Sequence, residues 1–270
     1  MSDDVPQTGN QSIHSGIELD KLIQQTIKNT GNIDRYYQNT ELIYEYSDSK
    51  AGVRDKKSMN MVMTAKVDVS NKTLWATINS TLNEGETPVE IKVEMYSTGD
   101  DLYIDMQTDG ESPGWFRSKQ IINSWNKLVS FENILTVLKE ETVMSARNEV
   151  YKGKDCYVMV IPVRDIYTIY RTLKNSYGLE KQFRYTFELI QSFSDHFIFE
   201  LWIEKDSFFI TKTIVRMDVE VTPEQVTGMR ADSATYSLQM TTDNYNINQP
   251  LAIELPEKLY DAPMIYTINE

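Results

Sequence analysis

Histidine, cysteine and clustered carboxylates are the residues that most often carry chemistry, and in this chain their spacing does not converge. The 270 residues include only two histidines, His14 and His196, and one cysteine, Cys156. Nucleophilic catalysis needs a Ser, Cys or Thr beside a base that a third group holds in place, and neither histidine has such company. His196, at the start of an expected strand, would be a general base without partners. Cys156 lies among apolar neighbours in Asp155–Val163, the setting of a buried structural thiol rather than an activated nucleophile. Being alone, it also excludes an intrachain disulfide and a cysteine-based zinc cluster. Asp105-Met106-Gln107-Thr108-Asp109-Gly110 opens like a calcium loop, but the position that should supply a bidentate glutamate is Phe116. A hairpin turn is the expectation there, and solvated charge at Asp100–Asp101 and Glu140–Glu141. The chain reads as no enzyme, with no cofactor and no metal.

The residues that do form a repeated pattern are apolar. Met59, Met61, Met63, Ala65, Val67 and Val69 alternate with Asn60, Val62, Thr64, Lys66 and Asp68, the period of a strand with one apolar and one wetter face. The alternation returns in Leu74, Ala76 and Ile78, in Val89, Ile91, Val93 and Met95, and in Leu102, Ile104 and Met106. Methionine is flexible and polarisable and suits surfaces that must accept variable apolar shapes, whereas a tightly specified core favours Leu, Ile and Val. Two readings follow: an adaptable cavity for lipid-like ligands, or a soft core.

The elements that must position this face are legible in turn. Leu19, Leu22, Ile23, Thr26, Ile27 and Thr30 have helical spacing, stopped at Gly31-Asn32. Strands are expected at Thr40–Ser47, Ser58–Val69, Lys72–Leu82, Val89–Ser97, Asp101–Gln107 and Gly114–Arg117, joined by turn residues such as Ser70-Asn71 and Thr98-Gly99-Asp100. Helical spacing follows from Ser118 to Leu138, then strands at Glu141–Tyr151 and Asp155–Val163. A second helical insert spans Asp165–Phe193, broken near Gly178 and rich in aromatics, which either pack on the sheet or roof a cavity. Three strands close the pattern at His196–Glu204, Phe208–Val221 and Ser233–Asn246. Strands interrupted by helices and then resumed predict one α+β domain, mainly antiparallel: a curved, unclosed half-barrel with helices packed on its concave side. The expected divisions are a tether at 1–16, one domain at 17–256 and an extended tail at 257–270.

The net charge of −13 and pI near 4.7 argue against nucleic acid and against simple adsorption to anionic lipid, both of which need concentrated positive surface. No run reaches the roughly 20 apolar residues of a membrane span. Met1–Asn10 is acidic and polar, without the apolar core of a signal peptide.

Several segments resemble the lipoprotein-carrier superfamily, of the LolA/LolB and LppX/LprG types. Lys66-Val67-Asp68-Val69-Ser70-Asn71-Lys72-Thr73 is similar to their second hairpin. Gly99-Asp100-Asp101-Leu102-Tyr103-Ile104, followed by Gly114-Trp115-Phe116-Arg117, is similar to their passage of glycine, aromatic strand and Gly-Trp. Tyr151–Val158 and Glu200–Lys205 resemble their later hairpins. The resemblance covers Ile17 to Pro256. It implies a non-catalytic module outside the cytoplasm, membrane-anchored or secreted, with its targeting segment absent from this chain. The implied partners are an acyl-chain or lipid-like ligand and a membrane-bound lipoprotein, and the implied state is a monomer. The attachment cysteine expected near the N-terminus of such lipoproteins is not in the chain. The candidate lining is Met59, Met61, Met63, Leu74, Ile78, Ile91, Val93, Met95, Leu102, Ile104, Met106, Tyr170, Phe183 and Phe187. A competing reading keeps the scaffold but fills its interior, leaving a sensor or interaction domain that binds protein through Trp75, Tyr96 and Tyr103 on the opposite face.

Overall fold

The computed structural model describes residues 18–50, 53–85, 87–99, 101–118, 131, 134, 135, 138, 139, 143–163, 197–222 and 232–264. The expected tether and the second helical insert, with Tyr170, Phe183 and Phe187, lie outside these residues.

Helix α1 spans Leu19–Thr30 and buries Leu22, Thr26 and Thr30, a stripe at i, i+4 and i+8. It stops at Gly31, the C-cap the sequence suggested. Gly31 keeps a right-handed φ of −66°, and glycine is required because a Cβ there would sit 2.9 Å from the Ile27 carbonyl oxygen. The Asn32 side chain donates to the Lys28 carbonyl at 2.8 Å, satisfying one of the helix's last acceptors.

Among the described residues eleven strands follow: β1 (Arg35–Lys50), β2 (Val53–Asp68), β3 (Thr73–Asn83), β4 (Val89–Thr98), β5 (Asp101–Thr108), β6 (Phe116–Ser118), β7 (Ser145–Tyr151), β8 (Lys154–Val163), β9 (Phe197–Glu204), β10 (Ile210–Val221) and β11 (Ser233–Tyr245). They form one antiparallel sheet in the order β6-β5-β4-β3-β2-β1-β11-β10-β9-β8-β7. Every neighbour is the next strand in sequence except at the centre, where β1 pairs with β11 from Tyr37–Tyr245 to Ser49–Ser233. The ends of this order, β6 and β7, are not paired with each other, so the sheet does not close into a barrel.

Curvature follows from the core. Leu74 and Ala76 on β3 share one buried cluster with Met159 and Ile161 on β8. In a flat sheet these strands would stand roughly 29 Å apart, at about 4.8 Å per strand. They meet only because the sheet curls around Leu22 of α1 and around Phe131, Leu135 and Leu138, which lie between the β6 and β7 edges in sequence. Tyr36 on β1 packs its ring against Phe131 at 5.2 Å. The helix and these residues therefore cover the concave face, the half-barrel arrangement expected. No described helix is long and apolar enough to cross a membrane.

Candidate apolar site on the concave face

Antiparallel partners share a face, so the registers define rows running across the sheet. The innermost concave row is Tyr36, Val67, Leu74, Ser97 and Leu102, and all five are buried. The next row, Ala65, Ala76, Met95 and Ile104, opens from buried to half-buried toward β5. Beyond it come Met63, Ile78, Val93 and Met106, then Met61 and Ile91, then Met59, Leu82 and Val89. These are half-buried, except Met106 at 52% exposure. On β10 the same face stays covered to its outer end, with Val219 and Val221 at 8% and 0%. The half-covered surface is thus a trough on β1–β5, floored by methionine and branched aliphatics.

Each described candidate therefore lies on the shared concave face. Leu74 and Leu102 belong to its closed end; Met59, Met61, Met63, Ile78, Ile91 and Val93 floor the trough; Met95 and Ile104 join the two; and Met106 is at the exposed rim. Asn60, between Met59 and Met61, is exposed on the other face, as the register requires.

A cavity of about 710 Å³ lies at the outer end of β1, β2, β10 and β11, lined by polar residues with Tyr46, Val219 and Tyr236 among them. The Tyr46 and Tyr236 rings pack at 5.0 Å. Burial, with the Asp48 carboxylate that accepts the Tyr46 hydroxyl at 2.8 Å, pushes the Tyr46 phenol well up. Burial likewise raises Tyr44 and Tyr236. All three phenols are held neutral where the trough ends.

A polar strip interrupts the apolar face at its centre, and nothing in the sequence pattern singled it out. The row of Met63 continues through Thr40, Thr242 and Thr213 to Leu201 and Met159. The three threonines are 4%, 6% and 1% exposed, and Asn244 beside them is 4% exposed. Their alignment depends on the β1–β11 pairing, which joins strands about 200 residues apart in sequence. The buried charges Asp68, Asp105 and Glu200 pair through registers that place them on the convex face.

The convex face carries a second pattern. Tyr245, Tyr37, Lys66, Trp75, Tyr96, Tyr103 and Arg117 form one row across seven strands. Lys66 Nζ stands 5.8 Å from the Tyr37 ring centroid and 5.1 Å from that of Trp75, in the range of cation–π attraction. The sequence indicated Trp75, Tyr96 and Tyr103 but not the row they complete.

The calcium-like segment folds as a turn. Asp109 and Gly110 take φ of 50° and 84°, and Asp105 accepts the Ser112 hydroxyl and the Gln107 amide. Among the described residues no group of three or more His, Cys, Asp or Glu is placed to hold a metal ion.

The chain belongs to the family described as "Family of unknown function (DUF6612)", which it matches over residues 18–263. No curated protein matches it. Among solved structures it is similar to a LolA superfamily protein from Nitrosomonas europaea, at 12% identity and a TM-score of 0.23, covering 91% of this chain and 98% of that one. A DUF1329 family protein from Desulfovibrio piger matches at 11% identity and 0.23, covering 87% and 95%. A beta-barrel-like protein of the domain of unknown function DUF1849 from Brucella abortus matches at 10% and 0.29, covering 79% and 99%.

Proposed function

We propose that the protein is a non-catalytic carrier or binding module for an acyl-chain or lipid-like ligand, acting outside the cytoplasm and held in the trough on β1–β5. The observation that carries this reading is the graded exposure of one face: the same strands run from buried Val67 and Leu74 to half-buried Met59, Met61 and Leu82. A core that served packing alone would close over such a surface. Each methylene buried there contributes about 0.8 kcal/mol, so ten are worth on the order of 8 kcal/mol before ordering costs. A membrane-bound lipoprotein is the proposed delivery partner and the working state is a monomer. Displacement of a fluorescent acyl probe from the purified protein tests the reading. Wild type is expected to bind at micromolar concentration or below, and Met61→Trp or Met63→Trp to weaken binding by filling the trough while the melting temperature holds. Absence of any acyl binding defeats the carrier reading.

The convex aromatic row supports a second reading, an interaction domain that binds protein through Trp75, Tyr96 and Lys66. In that case alanine at Trp75 abolishes partner capture and the methionine substitutions do not.

A further inference from the structure

We propose that the polar strip beneath α1 is a headgroup subsite for an uncharged acylglycerol bearing a free hydroxyl. The inference rests on the carrier reading and specifies its ligand. Thr26 Oγ1, Thr213 Oγ1 and Asn244 Oδ1 are buried and have no hydrogen-bond partner among the described residues, and the same holds for Gln25 Oε1. Thr26, Thr213 and Asn244 are 0%, 1% and 4% exposed, and a buried polar group without a partner is destabilising. Such groups in one region mark a place where something else completes the hydrogen bonds.

The surroundings set the geometry. Thr30 and Asn244 both grip the backbone of Ile210: its N–H donates to Thr30 Oγ1 at 3.3 Å, and the Asn244 amide donates to its carbonyl at 3.4 Å. That carbonyl can only accept, which fixes the Asn244 nitrogen toward it and leaves Oδ1 aimed elsewhere. Thr26 lies one turn back from Thr30 on the buried face of α1. Thr213 sits directly opposite Thr242, whose hydroxyl already shares a 3.1 Å bond with Thr40. Thr40 in turn stands beside Met63, the start of the trough.

The chemistry of the ligand follows from the donors and acceptors on offer. Asn244 Oδ1 and Gln25 Oε1 accept only, so the headgroup must donate; the threonine hydroxyls do either. Among the described residues no charged side chain lies in the strip, and the buried carboxylates pair through the opposite face, so a free carboxylate or phosphate would find no counter-ion among them. A free glycerol hydroxyl can donate to one of these two oxygens, and the threonine hydroxyls can donate to it or to the ester carbonyls, with the acyl chains laid outward along the methionine rows.

Displacement of an acyl probe by dioctanoylglycerol, and by trioctanoylglycerol, which lacks the hydroxyl, tests the proposal on the full chain. Wild type is expected to prefer the diacyl form by about tenfold. Thr26→Val/Thr213→Val, isosteric changes that remove two unpaired hydroxyls, should reduce that preference to near unity while binding of the triacyl form holds and the melting temperature of the free protein holds or rises. Equal affinities in wild type, or an undiminished preference in a folded variant, overturn the subsite and leave the carrier reading standing. Failure of wild type to bind either glyceride, or any acyl probe, overturns both. Should the double variant not fold, the wild-type preference and the single Thr26→Val variant decide the matter.

Discussion

Trp202 is 5% exposed although it faces away from the main core. It sits in a small second cluster with Cys156, Val158 and Ile214, against which Tyr151 packs. Lys212 closes the cluster, its Nζ 4.6 Å from the Tyr151 ring centroid and 4.7 Å from that of Trp202, while the indole N–H donates to Glu149 at 3.0 Å. Cys156 is 0% exposed and burial pushes its thiol up, so an aromatic disulfide reagent should label it only as fast as the protein unfolds. Rapid labelling of folded protein at pH 8 would contradict that placement. The Arg147 guanidinium beside Glu149, helped by the Trp202 N–H, holds its carboxyl below the ordinary value of 4.5. A lowered carboxyl stabilises the fold above its unfolded value, and that contribution fades as pH falls through the folded value. The Tm gap between wild type and Glu149→Gln should therefore be small but present at pH 7, because the side chain is partly exposed, and close as pH falls through the folded value, which lies below 4.5. A gap that widens in acid would reverse the assignment. Cys156's apolar company made its burial legible in the sequence. Trp202's burial was not, because its neighbours come from β8, β9 and β10 at once.

The strands show where local pattern suffices and where it fails. All eleven described strands were legible in order, most of them because they alternate between a covered and a wetter face, and β8 as a continuous apolar run buried on both faces from Cys156 to Ile161. Their ends were not. β1 runs to Lys50 and β2 begins at Val53, since the ladder continues through Asp48–Asp55 and Lys50–Val53 after the apolar alternation has ended. Between β2 and β3, Asp68 holds the turn by accepting both the backbone and side-chain N–H of Asn71, at 3.0 and 2.9 Å. Asn248 has an analogous role across the sheet centre. Its side-chain oxygen accepts from Asp34 N and Arg35 N at 2.9 and 3.3 Å, and its own N–H donates to Arg35 O at 2.8 Å. Its φ of 57° is a conformation asparagine tolerates better than most residues. Asn248→Ala should cost about 1–2 kcal/mol through lost acceptance and strain, read as a shift in urea midpoint with unchanged m-value. A loss below a few tenths of a kcal/mol would show the clasp to be incidental.

At the scale of the molecule, two sequential meanders, β1–β6 and β7–β11, are joined by one ladder. Each meander's concave face was readable from alternation. The joint was not, because it pairs residues near the two ends of the described chain, and with it went the polar strip that only this joint assembles. Hydrogen exchange should rank the elements accordingly. The amides of β1, β10 and β11, at the middle of the sheet, are expected to exchange only through global unfolding, and those of β7 at its edge through smaller openings. Equal protection at edge and centre would count against this division.

That joint also has a mechanical side. The start of β1 lies opposite the end of β11, with Tyr37 beside Tyr245, so tension on the two ends of the domain pulls the ladder apart like a zipper rather than shearing it. The bonds break one pair at a time from the Asn248 clasp inward, and the threonine pair is not far along: Thr40–Thr242 stands only three positions from Tyr37–Tyr245. A modest pull would thus split the concave surface along its midline, at the strip where a headgroup would rest, while the hairpins on either side stayed whole.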